Sequence, residues 1–139
     1  MKNILVLCTG NSCRSQIAHG YLQKGLEKNA NIYSAGVEKH GLNPYAVSVM
    51  KMDGVDISIY SSNLVDEYIM IEFDFIITVC DHANETCPYI PSKNALRIHK
   101  NFIDPSATKI EDEDEKILKY VNCRDEIRDF CIDFKLKNF

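Results

Sequence analysis

The sequence predicts a three-layer α/β fold, a four-stranded, mainly parallel sheet with helices on both faces. Apolar, β-branched runs alternate with segments of helical periodicity. The runs are continuously apolar, as in strands buried on both faces of a parallel sheet. Two of them end in a cysteine followed by polar, turn-forming residues, which puts chemistry at strand ends. With 139 residues and 45% hydrophobic content, residues 1–139 are expected to form one compact domain around a single core.

The elements follow in order. Asn3 to Leu7 is a buried strand ending at Cys8, and Thr9-Gly10-Asn11-Ser12 breaks it. From Ser15 onward, Ile17, Ala18, Tyr21, Leu22, Gly25 and Leu26 recur at helical spacing. Ile32 to Ala35 is a second short strand closed by Gly36, and Pro44 opens a helix carrying Ala46, Val47, Val49 and Met50. Leu64 to Phe73 is expected to be helical. Phe73 to Cys80, with the core Phe75-Ile76-Ile77-Thr78-Val79, is the clearest buried strand. Asp81 to Thr86 is expected to be a polar loop leading to Cys87, and Pro88 and Pro91 disfavour a regular element until about Ala95. Leu96-Arg97-Ile98 is a last short strand. After Asp104-Pro105, the segment from Ile110 onward reads as a long amphipathic helix, with an acidic opening, Glu111 to Glu115, that suits the positive end of a helix dipole.

In a parallel sheet ligands bind beyond the carboxyl ends of the strands. Cys8, Cys80 and the loop before Asp104 all follow predicted strands, so they are expected on one edge. The formal net charge of -4 offers no global positive field for nucleic acid or anionic lipid, and an anion must be held locally. No stretch approaches the roughly 20 apolar residues that cross a bilayer, and the N-terminal apolar run is too short for a signal peptide. A cytoplasmic monomer is expected. In that reducing setting the six cysteines, Cys8, Cys13, Cys80, Cys87, Cys123 and Cys131, read as reactive thiols, metal ligands or buried small hydrophobes rather than as a disulfide scaffold.

The strongest local signal is Cys8-Thr9-Gly10-Asn11-Ser12-Cys13-Arg14-Ser15, between a strand and a helix. A loop of this length can turn successive N–H groups inward and, with the helix N-terminus, hold a tetrahedral oxyanion. Arg14 can grip two oxygens as a planar fork. In such a cradle Cys8 is favoured as a thiolate nucleophile. Ser15 can donate its hydroxyl to that thiolate, and Asn11 can hold the loop through side-chain bonds to neighbouring backbone. Cys13 reads as a small loop residue, Cys123 and Cys131 as core packing on the last helix. A zinc module from Cys80, His82, Cys87 and His99 has poor ligand spacing. His40 and His99 read as surface or loop residues.

The motif resembles that of the low-molecular-weight protein tyrosine phosphatase family, C-x5-R-S at the end of the first strand, and Asp104-Pro105 stands where the family carries its general acid. That family's fold is then the expected one. The match is closest to its thioredoxin-coupled arsenate reductases. Cys-x5-Arg, a Cys-x6-Cys pair at Cys80 and Cys87, and Asp-Pro occur in this order, and Ser34-Ala35-Gly36, His40-Gly41-x-Asn43-Pro44, Val79-Cys80 and Cys87-Pro88 are also similar. The resemblance implies arsenate as substrate, thioredoxin as reductant and a relay. Cys8 attacks arsenic with help from Asp104, Cys80 attacks Cys8, and Cys87 attacks Cys80. The relatives often bind potassium beside this loop through Asn11, Ser34 and acidic side chains. Here His19 and Ser61-Ser62-Asn63 stand in place of the acids, so neither a metal nor another cofactor is expected. The alternatives are a phosphatase using Cys8, Arg14 and Asp104, and an oxyanion- or metal-binding regulator without turnover.

Overall fold

The computed structural model describes residues 1–86 and 90–139. The elements are β1 (Lys2–Cys8), α1 (Arg14–Leu26), β2 (Ala30–Gly36), α2 (Pro44–Met52), a 3₁₀ turn at Val65–Tyr68, β3 (Phe75–Thr78), α3 (Asp81–Thr86), β4 (Leu96–His99) and α4 (Glu113–Asn138). The four strands are all parallel, in the order β2-β1-β3-β4. β1 is central, and Ile4, Leu5, Val6 and Leu7 are all fully buried, as a strand covered on both faces requires.

Strand alternation assigns the two faces. Phe75 is on the face carrying Ile4 and Ile32, with Ser34 two residues further along β2. It meets Phe134 of α4 edge-on at 5.1 Å, and Ser34 Oγ lies 2.8 Å from His19 Nδ1 of α1. α1 and α4 therefore cover this face, and α2 packs on both of them. Tyr33 belongs to the opposite face and meets Tyr68 of the 3₁₀ turn and Phe73, while Thr78 Oγ1 reaches Asn84 of α3. Asn43 caps α2, its Oδ1 accepting from the N–H groups of Tyr45 and Ala46, with Pro44 at the first helical position. The acidic first turn of α4 and Lys135 and Lys137 in its last turn both complement its dipole.

Two expectations are corrected. Leu64 to Phe73 is not a helix beyond the four-residue 3₁₀ turn. Its two ends are drawn to fixed partners: Leu64 bridges to Gly36, and the Phe73 N–H donates to Ser92 Oγ at 2.9 Å. Between them the Glu67 carboxylate accepts the Leu64 N–H at 2.6 Å, which closes a single turn rather than propagating a helix. Asp81 to Thr86 is not a loop but the short helix α3, which starts directly beyond Cys80 with Asn84 N–H on the Cys80 carbonyl. Its composition is polar because most of its residues face outward, while Ala83 is fully buried.

Gly36 fixes the junction between β2 and the loop after β1. It is paired with Cys8 in the strand register, and a Cβ there would come within 2.6 to 2.7 Å of Glu38 O, Asn11 N and Thr9 O, all backbone atoms. Gly36→Ala is expected to lower stability by about 1–3 kcal/mol, the usual cost of forcing a methyl into a packed site, and to weaken phosphate binding at the neighbouring loop. Urea denaturation and phosphate titration check this; an unchanged midpoint and affinity would show that the backbone there yields freely.

Candidate active site

Cys8 ends β1, Val79-Cys80 follows β3, and Phe102 to Asp104 follow β4, so parallel strands deliver all three to one edge of the sheet. The loop from Thr9 to Cys13 joins β1 to α1, and its carbonyls are tied outward one by one. Thr9 O accepts from Glu38 N–H at 2.9 Å, Gly10 O from His40 N–H at 3.0 Å and Ser12 O from Asn43 N–H at 3.0 Å. Asn11 O accepts from Ser62 Oγ at 2.7 Å and Gln16 Nε2 at 3.0 Å, and Cys13 O from Ile17 N–H at 2.9 Å. In a trans peptide the carbonyl and the next N–H point in opposite directions, and no peptide among the described residues is cis. The N–H groups of Gly10, Asn11, Ser12, Cys13 and Arg14 are thereby turned to the inner side. That side is a pocket of about 170 Å³ lined by Cys8, Thr9, Gly10, Ser12, Cys13, Arg14, His40, Asn43, Asp104 and Ser106.

Asn11 is the pivot of this loop. It is fully buried and takes φ +48°, a left-handed conformation that asparagine tolerates better than most residues. Its Nδ2 donates to Ser15 Oγ at 2.7 Å, and its Oδ1 accepts from Asn63 N–H at 2.8 Å. Asn11 thus braces the loop, but the backbone group it holds comes from 52 residues away in sequence rather than from neighbouring backbone. Ser15 approaches Cys8 through its backbone N–H, while its hydroxyl accepts from Asn11. α1 has no side-chain cap at its N-terminus. The Cys8 sulfur takes the place such a cap would hold.

Arg14 lies with Nη1 donating to Phe102 O at 2.9 Å and Nη2 3.7 Å from Asp104 Oδ2. Asp104 also accepts from Ser106 N–H at 2.9 Å and Ser106 Oγ at 2.7 Å, which orients the carboxylate at the mouth of the pocket. His40, expected as a surface or loop residue, is exposed in a loop and also lines the pocket. It packs over Gly10, where an added Cβ would collide with the imidazole, and its Nε2 meets Glu38 Oε2 at 2.6 Å.

Cys80 is buried and hydrogen-bonded to Cys8. The two sulfurs share one proton and one negative charge. The bond from Cys8, against the cost of burial, together with Thr9 Oγ1 at 3.3 Å, Ala83 N–H at 3.4 Å and the nearby Arg14 charge, lowers Cys80 to about 5. The bond to Cys80 and then burial raise Cys8, opposed by Arg14 and by the Ser15 N–H. Either sulfur can carry the negative charge by a proton shift along one hydrogen bond.

Cys87 lies outside the described residues, with Pro88 and Tyr89. Cys131 is core, its Sγ 3.9 Å from Ala18 O. Cys123 is buried as expected, but it is also hydrogen-bonded to Cys13, a contact that spacing along the chain cannot reveal. His99 is turned to Thr78 Oγ1 at 2.7 Å and Asp81 at 2.6 Å. Among the described residues no group of three potential metal ligands converges. The residues beside the loop do not suit an alkali cation, which prefers charged or free oxygen ligands. Asn11 Oδ1 is taken by Asn63, Ser34 Oγ by His19, and His19 stacks on Tyr60 at 4.3 Å. Burial holds His19 down to about 4, so a neutral ring fills this place.

The chain belongs to the low molecular weight phosphotyrosine protein phosphatase family, whose profile matches residues 3–137. Within it the chain is similar to an arsenate reductase of Halalkalibacterium halodurans, 46% identical over 126 residues that cover 91% of this chain and 89% of the relative. An arsenate reductase of Staphylococcus xylosus is 38% identical over 136 residues, 98% of each chain. The fold matches a solved arsenate reductase in its oxidized state with a TM-score of 0.83 at 20% identity, covering 99% of this chain and 98% of that one. It also matches the low molecular weight protein tyrosine phosphatase of T. tengcongensis with a TM-score of 0.77 at 21% identity, covering 99% of each.

Two outcomes follow from these electrostatics. The alkylation rate of Cys80 against pH is expected to have its midpoint near 5. In Thr9→Ala, which removes one hydrogen bond to a charged sulfur, the midpoint rises by about 1 pH unit; no movement would mean Thr9 does not bear on the charge. His19 stays neutral in the fold until pH falls to about 4, whereas the unfolded chain takes up that proton near 6.5. Stability is therefore complete above about 6.5 and declines as pH falls towards 4, by up to about 3 kcal/mol. His19→Gln removes this component. Urea midpoints between pH 7 and 4 check it, and parallel losses in both proteins would exclude His19 as the cause.

Proposed function

We propose that this chain is a cytoplasmic, single-domain enzyme that reduces arsenate to arsenite and serves arsenic detoxification. The observation that carries the reading is Cys8 on the wall of an oxyanion pocket with a second thiol, Cys80, hydrogen-bonded to it. A phosphatase needs one sulfur there; a two-electron reduction needs a second within bonding reach. The relatives at 38% to 46% identity are arsenate reductases, which supports the same reading.

In this mechanism the loop residues Thr9, Gly10, Asn11, Ser12, Cys13, Arg14 and Ser15 bind arsenate, their N–H groups and the Arg14 fork holding its oxygens. The proton shared by the two sulfurs moves to Cys80, and the Cys8 thiolate attacks arsenic. Asp104 gives a proton to the departing oxygen, which leaves as water. The Cys80 proton then passes to water, a step favoured by Thr9, Ala83 N–H and Arg14. Cys80 attacks the Cys8 sulfur, and the S–As electron pair stays on arsenic. Arsenic leaves as trivalent arsenite, and a Cys8–Cys80 disulfide remains. Cys87 attacks Cys80 to give a Cys80–Cys87 disulfide and a free Cys8. Thioredoxin reduces that last disulfide, and the enzyme acts as a monomer.

Arsenate-dependent NADPH consumption with thioredoxin and thioredoxin reductase tests the scheme. Cys80→Ser and Cys87→Ser are each expected to abolish multiple turnover while hydrolysis of an aryl phosphate survives. Unchanged arsenate turnover in Cys87→Ser would exclude the relay.

A further inference from the structure

Cys13 and Cys123 form a second pair of neighbouring thiols that the relay leaves unused. Cys13 belongs to the oxyanion loop and Cys123 to α4, and they are 6% and 5% exposed. The two thiols are hydrogen-bonded to each other. Their positions are braced independently of that bond. Asn43 N–H holds Ser12 O, while Asn43 Nδ2 donates at 3.1 Å to the hydroxyl of Tyr120, one turn before Cys123. Two cavities meet at this pair. Cys13 lines the catalytic pocket, and Cys123 lines a larger cavity of about 490 Å³ bounded by Pro105, Leu118 and Asn122, with Asp104 on the wall of both.

We propose that Cys13 and Cys123 form a binding site for trivalent arsenic, seated between the oxyanion loop and α4. The identity of the ligand rests on the reading of the chain as an arsenate reductase, whose product would be released beside this pair. Arsenous acid condenses with two thiols. Two S–As bonds form, two As–O bonds break, and each departing hydroxyl takes a thiol proton and leaves as water. Arsenic stays trivalent with one hydroxyl, nothing is oxidised or reduced, and no net proton is released. This balance suits the pair. The hydrogen bond to Cys123, and then burial, hold the Cys13 thiol protonated. A divalent cation would require deprotonated ligands in that apolar setting, whereas a soft centre exchanging hydroxyl for sulfur does not. Once bridged, the loop is tied to α4 through arsenic, so the site would register accumulated product at the catalytic loop.

The test uses the full chain carrying Cys8→Ser, Cys80→Ser and Cys87→Ser together, which leaves Cys13, Cys123 and Cys131. Sodium arsenite is the probe, read by native mass spectrometry and by arsenic X-ray absorption. The expected result is one arsenic per chain bound by two sulfurs and one oxygen. Adding either Cys123→Ser or Cys123→Ala weakens binding by about a hundredfold, the advantage a second tethered ligand confers, with circular dichroism recorded for each variant. Absence of arsenic from the triple variant, a different sulfur count, or unchanged affinity in both folded Cys123 variants overturns the proposal. Failure of the reductase reading would appear separately, as absent arsenate turnover in the unsubstituted chain.

Discussion

The site depends on the outward tethering of five consecutive carbonyls, from Thr9 to Cys13. Left to itself a short polar loop would present donors and acceptors mixed together, and an anion would meet carbonyl oxygens as often as N–H groups. Here the strap from Glu38 to Asn43, the Ser62 hydroxyl, the Gln16 amide and the first turn of α1 each remove acceptors to the outer side. What remains facing the pocket is a set of donors, closed by Arg14. A chain with net charge of -4 holds an anion in this way by local geometry alone.

The same constraint explains why the loop needs so much of the chain. Asn11 is held in a left-handed conformation by contacts to Ser15 and Asn63, and Gly36 lets the end of β2 approach without side-chain bulk. Asn43 serves two masters, capping α2 with its Oδ1 and joining the loop to Tyr120 of α4. The neutral His19, bonded to Ser34 and stacked on Tyr60, completes the support without any charge. The oxyanion loop is thus the point where β1, β2, α1, α2 and α4 are mutually registered.

Beside the loop, the strand register does a second task. Leu7 pairs with Thr78 in neighbouring parallel strands, so both chains leave the sheet at the same height. Cys8 follows directly and Cys80 two residues on, which brings together sulfurs 72 positions apart in number and lets them share a proton. α3, beginning just after Cys80, adds the Ala83 N–H, which stabilises negative charge on that sulfur.

Much of this was legible in the residues. The alternation of buried runs and helical segments implied the parallel α/β sheet, and the strand-end placement of Cys8, Cys80 and Asp104 implied a common edge, because side-chain periodicity and strand direction are properties of local sequence. Cys8-x5-Arg14 was legible because its donors lie within one loop. Tertiary structure alone decided that Leu64 to Phe73 would be pinned into one 3₁₀ turn by Gly36 and Ser92, and that Asp81 to Thr86 would coil into α3. It also decided that Cys8 would be coupled to Cys80 and that Cys13 would meet Cys123. Each of those outcomes rests on a contact between segments distant in the chain, and spacing along a sequence carries no record of which distant groups will share a hydrogen bond.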